Sequence, residues 1–148
     1  EHPAVQVVLA AQGVRDVTPP PANPEHAFDR EAFKAAAAKA DAGVTAADFA
    51  LADTGTLVLF SAPGKNRSAS LIPPVHVALV PASRILPDLA SLIPHLPQGA
   101  DAVDRGSAVS LITGTSKTAD IELTLVGGVH GPGEVHVILM MDSDPFPA

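Results

Sequence analysis

Apolar residues at helical spacing predict three helices along this chain. The first is expected over residues 2–11, before a stiff Thr-Pro-Pro-Pro connector at 18–21. An alanine-rich run predicts a second helix over 25–42, which Gly43 is expected to end. A third helix is predicted over 84–93. The side chains expected to face the core from the second helix are Phe28, Phe33 and Ala37.

Continuous apolar runs, in contrast, are typical of buried strands. Two short runs at 48–52 and 56–60 flank the turn sequence Asp-Thr-Gly at 53–55, which predicts a β-hairpin. Further buried strands are predicted over 75–80 and 106–112. Strands that alternate with helical stretches indicate an α/β domain with a mostly parallel sheet.

The length and composition suit one well-buried domain. Its 148 residues are 47% hydrophobic and only 17% charged, which favours a globular core over disorder. We expect a helical lead-in at 1–45, a core at 46–141 and a loose tail at 142–148. Aromatic residues make up only 3% of the chain, so the core must be mainly aliphatic.

Charge and cysteine content exclude several functions. A net charge of −7 argues against binding to nucleic acid or to an anionic membrane surface. The absence of cysteine excludes disulfides, thiol nucleophiles and cysteine-ligated iron–sulfur clusters in this chain, and it fits a cytoplasmic protein. No signal-peptide pattern or membrane-spanning apolar run is found, so membrane insertion is not expected.

A loop of small hydroxyl residues follows the strand predicted at 106–112. Backbone N–H groups, hydroxyls and one ammonium in such a loop can hold an anion at the carboxyl end of a strand. The alternative is a helix N-cap formed by Ser116 or Thr118, with a solvated lysine. The first glycine of a Walker A loop is missing. The candidate ligand-binding residues are Gly114, Thr115, Ser116, Lys117 and Thr118.

Two carboxylates, Asp120 and Glu122, come directly after this loop. If the segment is helical, residues two apart face different directions, and the acids would only favour a helix N-terminus. The alternation of polar and apolar residues over 120–125 fits a strand as well. Either carboxylate is a candidate for proton transfer.

A glycine-flanked turn at 127–132 holds His130, which is well placed for proton transfer or ligand contact, or for a bond to the backbone. His76 and His136 each begin an apolar strand and are expected to be core or sheet-end histidines. The histidines do not show a compact metal-binding spacing, so no metal site is predicted.

The hairpin turn has two interpretations. It is a simple turn, or it forms a second wall of the anion pocket. Under the second interpretation, its candidate ligand-binding residues are Asp53, Thr54, Gly55 and Thr56. The sequence lacks a Gly-x-Ser-x-Gly elbow and a G-x-G-x-x-G loop, which weakens serine-hydrolase and dinucleotide-binding hypotheses.

Several of these segments together resemble the lactate-utilisation (LUD) domain family. The matching segments are 47–50, 52–58, 70–76, 116–122 and 128–132. The last two are the most specific, and the resemblance covers roughly residues 29 to 141 in order. It implies a three-layer α/β/α fold similar to the sugar-phosphate isomerase and CoA-transferase (NagB/RpiA-like) superfamily.

The resemblance also implies a role in oxidising L-lactate to pyruvate with iron–sulfur partner proteins. No cofactor is expected in this chain, and the clusters would lie in the partners. In this hypothesis Lys117 and the loop amides hold a small carboxylate, while Glu122 or His130 handles protons. The alternative is a self-sufficient isomerase, transferase or ligase that acts on a phosphorylated or CoA-linked substrate.

Overall fold

The computed structural model describes residues 13–16, 30–62, 65, 67–96, 108–119, 125–128 and 130–141. Its helices are α1 (Arg30–Ala37), α2 (Ser68–Leu71) and α3 (Leu89–Leu92), with 3-10 turns at Ala82–Arg84 and Ile93–His95. Its strands are β1 (Ala42–Ala46), β2 (Phe49–Leu51), β3 (Thr56–Phe60), β4 (Val75–Pro81), β5 (Ile85–Leu86), β6 (Val109–Ile112), β7 (Lys117–Ala119), β8 (Leu125–Gly127) and β9 (Glu134–Met140). Within this part of the chain, no helix is long and apolar enough to cross a membrane.

The first sheet is entirely parallel, in the order β1-β4-β9. Its central strand alternates between its two faces, as the two-residue period of a strand requires. His76, Ala78 and Val80 are buried on one face, while the residues between them are only half-buried. The strand predicted over 75–80 is confirmed.

The second sheet has the order β5-β2-β3-β6 and contains the predicted hairpin. Strands β2 and β3 pair antiparallel, with Leu51 opposite Thr56. All five residues of β3 are buried, so this strand packs on both of its faces. Strand β6 pairs antiparallel with β3, which confirms the strand predicted over 106–112 within the described residues.

Alternate side chains of β3 build two hydrophobic clusters. Leu57 and Leu59 pack with Ala78 and Val80 of the parallel sheet. Val58 and Phe60 pack instead with Leu51 and with Leu92 of α3. Full burial of one leucine or valine side chain contributes about 1.5–3 kcal/mol to folding. Strand β3 therefore joins the two sheets and α3 into one core.

Two helix predictions need correction. The second helix does not extend to residue 42, because α1 ends at Ala37 and both Ala42 and Gly43 lie in β1. The backbone groups of these residues pair with β4, and this tertiary pairing overrides the alanine-rich propensity. The core prediction for Ala37 is confirmed, and Phe33 is half-buried.

The helix predicted over 84–93 is wrong in its first half. Residues Ile85–Leu86 form β5, because the proline at 87 disfavours helical backbone in the residue before it. Helix α3 begins later, where the Asp88 carboxylate accepts a hydrogen bond of 2.8 Å from the backbone N–H of Ser91. The predictions for residues 2–11, 18–21, Phe28 and 142–148 lie outside the described residues.

The sequence also allowed a helix to begin at Ser116 or Thr118, in the loop of small hydroxyl residues at 114–118 (the hydroxyl loop). This alternative is wrong. Residues Lys117–Ala119 form β7, which pairs antiparallel with β8. A helix N-cap at Ser116 or Thr118 is therefore excluded, and the strand interpretation of this region is the better one. The mixed α/β class is confirmed, with a parallel sheet joined to a mixed one.

Candidate functional site

A chain of hydroxyl groups links the hairpin turn to the end of β6. Because β3 and β6 pair antiparallel with Leu57 opposite Ile112, Thr56 lies opposite Thr113. Their Oγ1 atoms are 2.7 Å apart. Thr54 Oγ1 lies 2.7 Å from Thr56 Oγ1 and donates to Asp53 Oδ1 at 3.0 Å. We call these four residues the hydroxyl relay.

Ser116 connects the hydroxyl loop to the glycine-flanked turn. Its backbone N–H donates to Pro132 O, and its carbonyl accepts from Gly128 N, both at 3.0 Å. Its side-chain Oγ accepts from the backbone N–H of His130 at 3.3 Å. One serine therefore fixes the position of this turn through three hydrogen bonds.

The glycine-flanked turn is also anchored to the parallel sheet. The backbone N–H groups of Gly133 and Glu134 both donate to Pro74 O, at 3.0 and 3.3 Å. Gly128 has a φ of 77°, a left-handed conformation that glycine adopts without strain. The hydroxyl loop thus contacts the hairpin turn at one end and the glycine-flanked turn at the other. We call residues 53–56, 113–117, 128 and 130–133 the loop cluster.

The structure places most of the predicted ligand-binding residues in this cluster. Asp53, Thr54 and Thr56 belong to the relay, so the hairpin turn lies beside the end of β6, and its role as a second wall of an anion pocket stays a prediction. Thr115 is half-buried, and Lys117 begins β7 with an exposed side chain. Thr118 lies in β7 as well.

Glycines leave room beside the relay. Gly55 and Gly114 have φ angles of 65° and 81°. In the described part of the chain, no heavy atom lies within 4 Å of where a Cβ would be at either position. Both glycines therefore combine a left-handed backbone with open space, as a site that approaches a ligand through its backbone requires.

The predicted proton-transfer residues are only partly described. His130 is exposed, and its backbone N–H contacts Ser116. Asp120 and Glu122 lie outside the described residues, so their roles stay predictions. Among the residues with described positions, no group of three or more histidine or acidic side chains is arranged to hold a metal ion.

The two strand-starting histidines differ because of the register between β4 and β9. His76 pairs with Val135, and Val77 pairs with His136, so the two histidines lie on opposite faces of the sheet. His136 is exposed and lies 3.3 Å from a carboxylate oxygen of Glu134. His76 is 0% exposed, as a core histidine should be.

Only one ring nitrogen of His76 has a described partner. Its Nε2 lies 2.8 Å from Thr45 Oγ1, whereas its Nδ1 is buried without a hydrogen bond within the described structure. Burial removes water from the ring and lowers the pKa of His76 below its ordinary value of 6.5. The imidazole is therefore held in its neutral form.

An ion pair between the buried Asp48 and the exposed Lys65 was missed by the sequence analysis. The Asp48 carboxylate accepts a hydrogen bond of 2.7 Å from Phe60 N and a second bond from Lys65 Nζ. Asp48 lies between β1 and β2, where its backbone N–H also donates to Val58 O. An acidic residue inside the apolar run 47–52 was the available signal, because a carboxylate buried there needs partners.

Comparisons with known proteins agree with this architecture. The model of the LUD domain family matches residues 8–140. Lactate utilization protein C of Halalkalibacterium halodurans is 42% identical over 107 residues, which cover 72% of this chain and 46% of that protein. Lactate utilization protein C of Bacillus subtilis is also 42% identical over 107 residues, which cover 72% of this chain and 45% of that protein.

One solved structure is similar. It is the crystal structure of a DUF162 family protein from Deinococcus radiodurans, with a TM-score of 0.51 and 26% sequence identity. The match covers 72% of this chain and 57% of that one.

Fold and site thus define a mixed α/β domain with its candidate site in loops at the strand ends. The chain belongs to the LUD domain family. It spans about half the length of the curated relatives that it matches.

Proposed function

We propose that this chain acts in lactate utilisation and that its loop cluster binds a small carboxylate. The names of the relatives support the first part, because proteins about 40% identical over most of the chain are called lactate utilization protein C. The observation that carries the second part is the assembly of two separate segments, at 53–56 and 128–133, around one hydroxyl loop.

The chemistry of the loop cluster suits a small anion. The hydroxyls of Thr115 and Ser116, which lie outside the relay, and the glycine-flanked backbone can donate to a carboxylate, and Lys117 would supply the compensating positive charge. His130 or Glu122 would handle protons beside it.

We extend the proposal to the oxidation of L-lactate to pyruvate in the cytoplasm with iron–sulfur partner proteins. This oxidation releases two electrons, which need an acceptor. The chain contains no cysteine that could ligate an iron–sulfur cluster. Assigning the redox centres to partner proteins, and substrate contact to this chain, is consistent with that composition.

Substitution of Lys117 tests the proposed anion site. In Lys117→Ala, we expect the affinity for L-lactate to fall roughly tenfold, because a charge-assisted contact contributes about 1.5–3 kcal/mol and solvent screens part of it. Isothermal titration calorimetry with L-lactate on the purified protein measures this change. Lys34→Ala is the matched control, because Lys34 is an exposed lysine on α1 that contacts Glu31.

Equal affinities of wild type and Lys117→Ala would contradict the anion site. The same titration with inorganic phosphate addresses the alternative class of enzyme. Binding of phosphate but not of L-lactate at the loop cluster would favour the isomerase, transferase or ligase hypothesis over lactate utilisation.

A further inference from the structure

An ionised Asp53 favours one direction of hydrogen bonding along the hydroxyl relay, because a carboxylate is a stronger acceptor than a hydroxyl. Each threonine hydroxyl carries one hydrogen, and an ionised carboxylate can only accept. Of the two oxygens within reach of the Thr54 hydroxyl, Asp53 Oδ1 is the stronger acceptor, so Thr54 donates to it. Thr54 Oγ1 can then take part in its contact with Thr56 only as the acceptor, so Thr56 donates to Thr54.

The same reasoning extends to the end of the relay. Because Thr56 has donated its only hydrogen, its oxygen must accept from Thr113 in their 2.7 Å contact. Thr113 thus directs its hydrogen inward, toward the buried Thr56, which is 5% exposed. At the exposed end of the relay, the hydroxyl oxygen of Thr113 can therefore only accept a further hydrogen bond.

The position of Thr113 allows a ligand to reach the lone pairs of its hydroxyl oxygen. Gly114 follows it with open space beside its Cα, and Lys117 lies four residues further along the same loop. A 2-substituted carboxylate carries its substituent on the carbon next to the group that Lys117 would hold. A hydroxyl at that carbon has a hydrogen to donate, whereas a ketone has only lone pairs.

We propose that Thr113 is a specificity-determining residue, whose oxygen accepts a hydrogen bond from the hydroxyl of a 2-hydroxy carboxylate. This inference rests on the proposed function, because it assumes that the loop cluster binds a small carboxylate. The site then prefers L-lactate to pyruvate, since the pyruvate carbonyl would face the lone pairs of Thr113. Asp53 is a positioning residue that sets the direction of the relay from its far end.

The test compares three carboxylates with the same three-carbon skeleton, L-lactate, pyruvate and propionate, by calorimetry. Wild type is expected to bind L-lactate about 3- to 10-fold more tightly than the other two, the value of one net hydrogen bond. Thr113→Val keeps the shape but removes the oxygen, and the preference should vanish. Thr113→Ser keeps the hydroxyl and should retain the preference.

Asp53→Ala tests the direction of the relay itself. Without the carboxylate, each hydroxyl is free to turn, so the preference for L-lactate over pyruvate should shrink toward that of Thr113→Val. An undiminished preference in Thr113→Val would overturn the inference and leave the proposed carboxylate site standing. Failure of all three ligands to bind wild type would overturn the proposed function and this inference with it.

Discussion

Replacing Gly43 with alanine is expected to lower the free energy of unfolding by about 3 kcal/mol or more, at the upper end of the cost of overpacking a core. Gly43 lies in β1 against the backbone of α2. A Cβ there would overlap the carbonyl oxygen of Ala69 and lie 2.8 Å from its carbonyl carbon and 3.1 Å from Pro73 Cγ. Two of these three atoms belong to the backbone, so relief requires α2 to move off the sheet.

Urea unfolding followed by circular dichroism measures this loss. Gly133→Ala is the matched control, because a Cβ at that position meets Gly128 Cα at 3.8 Å, an ordinary contact. Its cost should stay within about 1 kcal/mol, as for most substitutions that create no clash. A Gly43→Ala protein as stable as Gly133→Ala would contradict the packing of α2 against β1.

Acidification should destabilise the protein through His76. Burial lowers the pKa of His76 in the folded state below 6.5, whereas the unfolded chain keeps the ordinary value. Below pH 6.5 the unfolded state therefore binds a proton that the folded state does not. Stability falls as the pH decreases from about 6.5 toward the folded pKa, by at most about 1.4 kcal/mol per pH unit.

Chemical unfolding at a series of pH values between 5 and 8 measures this slope. His76→Gln should be less stable at pH 8 but should lose the dependence that His76 causes. His136→Gln, which changes an exposed histidine on the neighbouring strand, should keep the slope. An equal slope in wild type and His76→Gln would show that His76 does not govern the acid sensitivity.

Local sequence signals predicted the elements whose own residues show a clear strand or turn pattern. The hairpin follows from two apolar runs around Asp53-Thr54-Gly55, and the structure has it with Leu51 opposite Thr56. The strand at 75–80 is as apolar as a strand buried in a parallel sheet should be. In both cases the local order of apolar and turn residues is what favours the observed strand or turn.

Segments whose local composition conflicts with their tertiary pairing were mispredicted. Ala42 and Gly43 continue a helical composition, but their strand conformation comes from pairing with Val75 and His76, more than 30 residues away. The loss of the helix at 85–86 depends on the parallel pairing of β5 with β2. Composition cannot report such long-range pairing. The similarity to the NagB/RpiA-like superfamily stays a prediction.

The candidate site was predicted in its parts but not in its connections. The turn at 53–56 and the loop at 114–118 were both predicted to bind a ligand. Thr113, which joins them, was overlooked because a single threonine at a strand end carries no motif. Its importance comes only from the β3–β6 register that sets it against Thr56.

The most direct test of the central claim is to map where L-lactate binds. Titration of L-lactate into ¹⁵N-labelled protein, followed by amide NMR spectra, reports each backbone position separately. We predict saturable shifts concentrated at residues 53–56, 113–117 and 130–133, with α3 at 89–92 unchanged. Shifts that are absent from these three segments, or that concentrate at 89–92 instead, would contradict the assignment of the loop cluster as a carboxylate site.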